Sequence, residues 1–328
     1  MIKRYFRLLA AGSALAGCLA SAAPALAQSD YPGKTVRIVI GTPPGDSADA
    51  NARSLATHLA KLTGQPFYVD NKPGAHGIIA AEAAKNAAPD GYTVLLSTGG
   101  PMAINPSLYK KLPYDTLKSF EPIVSMSTGP LYLVVNNDLP VNNVKDLVAY
   151  AKAHPGKLSY GSGGSGTTQH LARETLKKSM GLDMVHVPYK GSPLVLQDLI
   201  GGQIQLAFDA GASILPQIRN GKVRLIGVAS DARSPNTPDM PTLIEQGVPA
   251  FRAVVWSGLF APAGTPPAVV AKLNEMVNQA LRDPAFAEQM RAQGGEPAGG
   301  SSADFRVFVA AEIARWAKAV AVSGATVD

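Results

Sequence analysis

Short β-branched runs and amphipathic runs alternate along this chain, and that alternation restricts the fold more than any other feature. Val36-Arg-Ile-Val-Ile40 reads as a strand. It breaks into Gly41-Thr-Pro-Pro-Gly-Asp-Ser47, and Ala52, Leu55, Ala56, Leu59 and Leu62 then recur at helical spacing. Phe67-Tyr-Val69, an alanine-rich helix from Gly77 to Ala87, and the strand Tyr92-Thr-Val-Leu-Leu96 continue the series. Strand, helix, strand is the grammar of a parallel, doubly wound sheet.

Pro101 to Phe120 reads as irregular, and Ile123 to Val135 as one or two strands. A second series follows: helix 144–153, strand 158–160, helix 167–180, strand 184–187, helix 193–200, strand 204–208, helix 212–221 and strand 223–229. A further strand at Val254–Ala261 precedes helices at 266–281, 284–292 and 303–323. The pattern predicts an α/β protein of two lobes, each on a doubly wound sheet, with the chain crossing twice and a helical tail. Lobe 1 is expected to take 28–127 and 253–328, and lobe 2 to take 128–252.

Residues 1–27 read differently. Lys3, Arg4 and Arg7 precede an apolar, alanine-rich stretch, and Ala25-Leu26-Ala27 is a cleavage signal of the A-x-A kind. The expected location is the periplasm, with the leader removed near Ala27. Leu15-Ala16-Gly17-Cys18 is the rival lipoprotein site. Cys18 is the only cysteine, so a mature chain has neither disulfide nor thiol chemistry. Without the leader, 27 basic and 24 acidic residues leave a net charge of only +3. With no dense Lys/Arg run, nucleic acid is not an expected partner.

Ligands of such sheets sit beyond the carboxyl ends of the strands. Those ends are Gly41–Asp49, Ser97–Gly100, Gly161–His170, Tyr189–Ser192 and Asp209–Ser213, rich in Gly, Ser and Thr. The glycine turn into the helix after Leu158–Tyr160 suits an anion, because first-turn N–H groups lack partners and the helix dipole adds positive charge. Gly161, Gly163 and Gly166 match G-x-G-x-x-G, but no acidic residue ends a strand about 20 residues on, as a dinucleotide needs. No cofactor is expected. His58, His76, His154, His170 and His186 show no metal spacing, and no G-x-S-x-G elbow is present. Asp46 and Asp49 can cap a helix or meet a ligand, Asp209 can meet a ligand or join the lobes, and Lys190 is the basic group at a strand end.

Motifs in order along the chain resemble one family. They are Tyr31-Pro-x-Lys34, Pro43-Pro44-Gly45, Asn71-x-Pro-Gly-Ala75, Ala88-Pro-Asp-Gly-Tyr92, Ala103-Ile-Asn-Pro-Ser-Leu-Tyr109 and Lys111-Leu-Pro-Tyr-Asp115. Tyr160-Gly-Ser-x-Gly-x-Gly-Thr167, His186-Val-Pro-Tyr-Lys-Gly191, Gly201-Gly-Gln203 and Ala261-Pro-Ala-Gly-Thr-Pro266 follow. From about Tyr31 to Asp328 the chain is similar to the substrate-binding family of tripartite tricarboxylate transporters, the Bug receptors. The resemblance implies a monomeric, non-enzymatic periplasmic binding protein. Its lobes would close on a small organic carboxylate, for a membrane transporter or for signalling. Carried onto this sequence, the ligand contacts are Pro44, Gly45, Asp46, Ser47, Asp49, Ser97, Thr98, Gly99, Ser162, Gly163, Gly166, Thr167, Thr168 and Asp209. Where many members have Pro-Pro-Gly-Gly, this chain has Pro44-Gly45-Asp46-Ser47, so Asp46 is expected to tune specificity. The rival expectation is a secreted α/β enzyme acting on an anion through His170 and a nearby serine.

Overall fold

Arg37 is the only residue of β1 (Val36–Ile40) that is not buried, as expected of a strand covered on both faces. The computed structural model describes residues 31–44, 47–164, 166–292 and 294–323. The leader with its cleavage signal and Cys18, as well as Gly45 and Asp46, lie outside the described residues.

β1 pairs in parallel with β2 (Phe67–Asn71) and β3 (Thr93–Thr98). The crossovers are α1 (Ser47–Thr63) and α2 (Ile78–Lys85). Of the α1 positions predicted to face the core, Ala52, Leu55, Ala56 and Leu59 are buried, whereas Leu62 in the last turn is 41% exposed. The segment expected to be irregular contains a wide helical turn at Gly100–Ile104 and two short helices, α3 (Asn105–Leu108) and α4 (Thr116–Ser119). The Asp115 side chain starts α4 by accepting the N–H groups of Leu117 and Lys118.

Phe120–Val135 is one strand of 16 residues, β4, not two. Its first half pairs antiparallel with β9 (Val254–Pro262) and with β10 (Glu296–Gly299), a strand the sequence pattern did not predict. Its second half pairs antiparallel with β7 (Leu206–Ala210) and β8 (Arg224–Val228). β5 (Leu158–Ser162) lies parallel to β7 and to β6 (Met184–Pro188). The two expected sheets are therefore joined through β4 into one path, β2-β1-β3-β9-β4-β7-β5-β6. Strands that enter a lobe from the other one run against its own, so each lobe's sheet is mixed instead of purely parallel.

In lobe 2 the covering helices are α5 (Val144–Ala153), α6 (Thr168–Met180), α7 (Ser192–Ile200) and α8 (Gly211–Arg219). Leu147 and Leu176 pack on one face of that sheet and Leu199 and Ile214 on the other. In lobe 1, Leu55 of α1 packs with Leu273 of α9 (Pro267–Leu281) and Phe286 of α10 (Pro284–Ala292). The opposite face is covered by Phe305, Val309 and Trp316 of α11 (Ser302–Ser323), a cluster that also takes in Leu171 of α6. α11 therefore touches both lobes. No helix among the described residues is long and apolar enough to cross a membrane.

Candidate functional site

The β5–α6 loop is held by its own side chains. Ser162, 1% exposed, donates its hydroxyl to Gly164 O (3.0 Å) and pairs with His186 Nε2 (2.7 Å). Thr167 Oγ1 donates to Gly164 O (2.8 Å) and caps α6 by accepting the His170 N–H. The Gly166 N–H donates to His170 Nδ1 (3.1 Å). Thr168 and Gln169 then present first-turn N–H groups that the helix itself cannot satisfy.

Beneath the loop lies Arg173, fully buried, which donates to Gly161 O and to Phe208 O (3.2 Å). It thereby clamps β5 to β7 beneath the loop. Gly161 is a packing glycine: a Cβ there would lie 2.5 Å from Ile204 Cδ1. The first glycine of the G-x-G-x-x-G match therefore serves the sheet and not a phosphate. Asp209, 1% exposed, accepts from Ser192 Oγ (2.8 Å) and from the Ala210 N–H, while its Oδ2 has no described partner. Burial raises its pKa. Gly163 lies against Gly191 (3.6 Å from the Cβ position to Cα), so the ends of β5, β6 and β7 form one surface. Lys190 on that surface is exposed.

Lobe 1 presents the opposite surface. Ser97 is buried near the end of β3; Thr98 follows it, and Gly99 packs on Trp256. Pro44 is exposed beyond β1, and Ser47 begins α1. Asp49 is 3% exposed and accepts from Arg53 Nε (3.0 Å) and Asn71 Nδ2 (2.9 Å). That carboxylate ties α1 to the end of β2, which leaves it poorly placed to meet a ligand. Gly41 abuts Gly77, and Gly77 abuts Pro101. The ends of β1 and β3 are thereby linked through the turn Ala75–Gly77.

The two surfaces meet at a residue the motifs did not single out. His76 Nε2 lies 3.2 Å from the Cβ position of Gly164, its Cε1 lies 3.6 Å from that of Gly166, and Leu108 also packs on Gly166. Both glycines have positive φ, +136° and +79°, so the loop needs them for its backbone shape as well as for the close approach. A signal for His76 was present in the sequence, since it follows Gly74-Ala75 and precedes Gly77 in a turn.

The rival enzyme expectation calls for His170 with a nearby serine. His170 uses Nδ1 on Gly166, and Ser162, the described serine of the loop, pairs with His186 instead. His170 and His186 are stacked at 4.1 Å, and burial lowers both pKa values, that of His186 to about 4. Unfolded, the His186 imidazole would titrate near 6.5. Between those values the unfolded chain binds the extra proton, so stability is fully present above about 6.5 and is lost as pH falls towards 4. The urea midpoint is expected to fall between pH 7 and about 4.5; a constant midpoint would refute the neutral pair.

Residues 51–324 match the family described as tripartite tricarboxylate transporter family receptor. The chain belongs to that family. The receptor is 36% identical over 320 residues to Protein BugT of Bordetella pertussis, covering 97% of this chain and 98% of that protein. Among solved structures it is similar to R. palustris Rpa4515 with adipate, at 36% identity and TM-score 0.85, covering 90% of this chain and 99% of that one. It also resembles MatC from Rhodopseudomonas palustris with bound malate, at 31% identity and TM-score 0.80, covering 88% and 100%. A two-lobed solute receptor is what these likenesses and the fold describe together.

Proposed function

We propose that this receptor works in the periplasm, captures a small organic carboxylate between its lobes and hands it to a tripartite tricarboxylate-type transporter or to a signalling partner. The observation that carries this reading is the β5–α6 loop. The hydroxyls of Ser162 and Thr167 and the rings of His170 and His186 are committed to holding the turn, so the N–H groups of Thr168 and Gln169 and the α6 dipole are the natural anion donors. The opposed Ser97 hydroxyl supports it from lobe 1. The similar structures with adipate and with bound malate support a dicarboxylate. A role as receptor and not as enzyme is supported by Ser162, whose buried hydroxyl is engaged three times.

The lobe limits drawn from sequence, 28–127 with 253–328 against 128–252, belong to this proposal. They are supported at the crossings, where the Leu131 N–H donates to Ala253 O (2.9 Å) and the Ala253 N–H donates to Ala229 O (3.0 Å). Closure follows when the ligand binds the closed state better than the open one.

A thermal-shift screen of small carboxylates tests the reading. A ligand at 100 times its Kd adds about 2.7 kcal/mol of stability. Stabilisation by neutral or cationic compounds alone would sink it. The same titrations on Asp46→Gly examine the specificity role of Asp46, which an unchanged ranking of ligands removes.

A further inference from the structure

We infer that His76 is a ligand-reading residue: carried on the Ala75–Gly77 turn of lobe 1 and laid on Gly164 and Gly166 of lobe 2, its imidazole hydrogen-bonds the carboxylate held between them. This rests on the receptor reading above. The first support is backbone conformation. Ala75 and His76 sit at φ 44° and 52°, in the left-handed region where glycine would fit without strain. Two side-chain-bearing residues in succession persist there because the surroundings fix the turn. Asn105, fully buried, donates its amide to His76 O (3.2 Å).

Position is the second support. The ring bridges the two lobes, close to the glycines that enclose the mouth of the β5–α6 loop. Its nitrogens take no hydrogen bond from the described residues, although the side chain is half-buried. Burial lowers its pKa, so at neutral pH it is an uncharged ring with one donor and one acceptor. Such a group can donate to a carboxylate oxygen or accept from a ligand hydroxyl. Because the contact exists only when the lobes are together, it favours the closed, loaded state.

His76→Gly separates this role from folding, because glycine relieves the left-handed strain. The melting temperature of the unliganded variant is expected to be equal or higher. In calorimetric titration its affinity for the carboxylates that bind the wild type, adipate and malate first among them, is expected to fall by about three- to tenfold, one net hydrogen bond. His76→Asn tolerates the same backbone and keeps an amide donor, so it should recover part of that loss. Wild-type affinity in His76→Gly overturns the inference and leaves the receptor reading intact. A lowered melting temperature alongside the affinity loss also overturns it, since His76 would then be structural. No carboxylate binding by the wild-type protein overturns the receptor reading, and this inference with it.

Discussion

Arg173→Met is expected to lower the unfolding free energy by about 3 kcal/mol and to weaken ligand binding as well. The guanidinium is fully buried, 4.9 Å from the Tyr160 ring centroid and 5.7 Å from that of Phe208. Methionine refills most of the aliphatic stem, so the cavity left behind is small. What is lost is polar: Gly161 O and Phe208 O each lose a charged donor in the core, at about 1–3 kcal/mol apiece. Asp209 also loses the cation that offsets part of its burial. Those two carbonyls lie in β5 and β7 one to two residues before the loops of the site, so a loosened clamp spreads the site too. Urea unfolding measures the first effect and carboxylate titration the second. A variant as stable as wild type would show that the clamp contributes little.

Glu312→Ala should cost a similar amount, about 3 kcal/mol, with the damage concentrated at the join between the lobes. Glu312 is 6% exposed; its Oε2 accepts from Trp256 Nε1 (3.0 Å) and Trp316 Nε1 (3.1 Å). Arg315 grips both oxygens, at 2.7 and 2.8 Å, and donates to Arg252 O in the second crossing (3.3 Å). Removing the carboxylate leaves two buried indole N–H groups without an acceptor and frees the arginine. Trp256 also packs on Gly99, at the end of β3, so the cluster connects α11 to the crossing and to the site. Glu312→Gln keeps the shape and one acceptor oxygen, and should therefore lose less than the alanine variant. Equal stability of Glu312→Ala and wild type in urea unfolding would refute this account.

The elements were legible wherever the signal was local. Leu55 and Leu59 of α1, the β-branched run of β1 and the glycine turn into α6 each announce themselves within a few residues. β10 did not, because Glu296-Pro-Ala-Gly299 has no apolar alternation and is a strand only by pairing with β4. β4 as one strand was equally hidden, since Pro122, Gly129 and Pro130 look like breaks until β9, β7 and β8 hold the chain extended through them. At the candidate site, the resemblance pointed to loops at the strand ends, but it could not sort their side chains. Asp49 shares the helix start with Ser47, yet only the arrival of Asn71 from β2 shows its carboxylate to be engaged.

By itself, then, the sequence determined the alternation of strands and helices, the faces they bury and the loops at the strand ends, because periodicity and turn chemistry act over short separations. The family follows from motifs in order along one line. Tertiary structure alone decided which polar groups remain to meet a ligand. Ser162 is engaged by His186 from the neighbouring strand, Asp209 by Ser192, and Arg173 turns inward as a clamp. His76 comes to lie on Gly164 only when two distant stretches of chain fold against each other. Hydrogen-bond satisfaction is a property of neighbours in space, and most of those neighbours are remote in the chain.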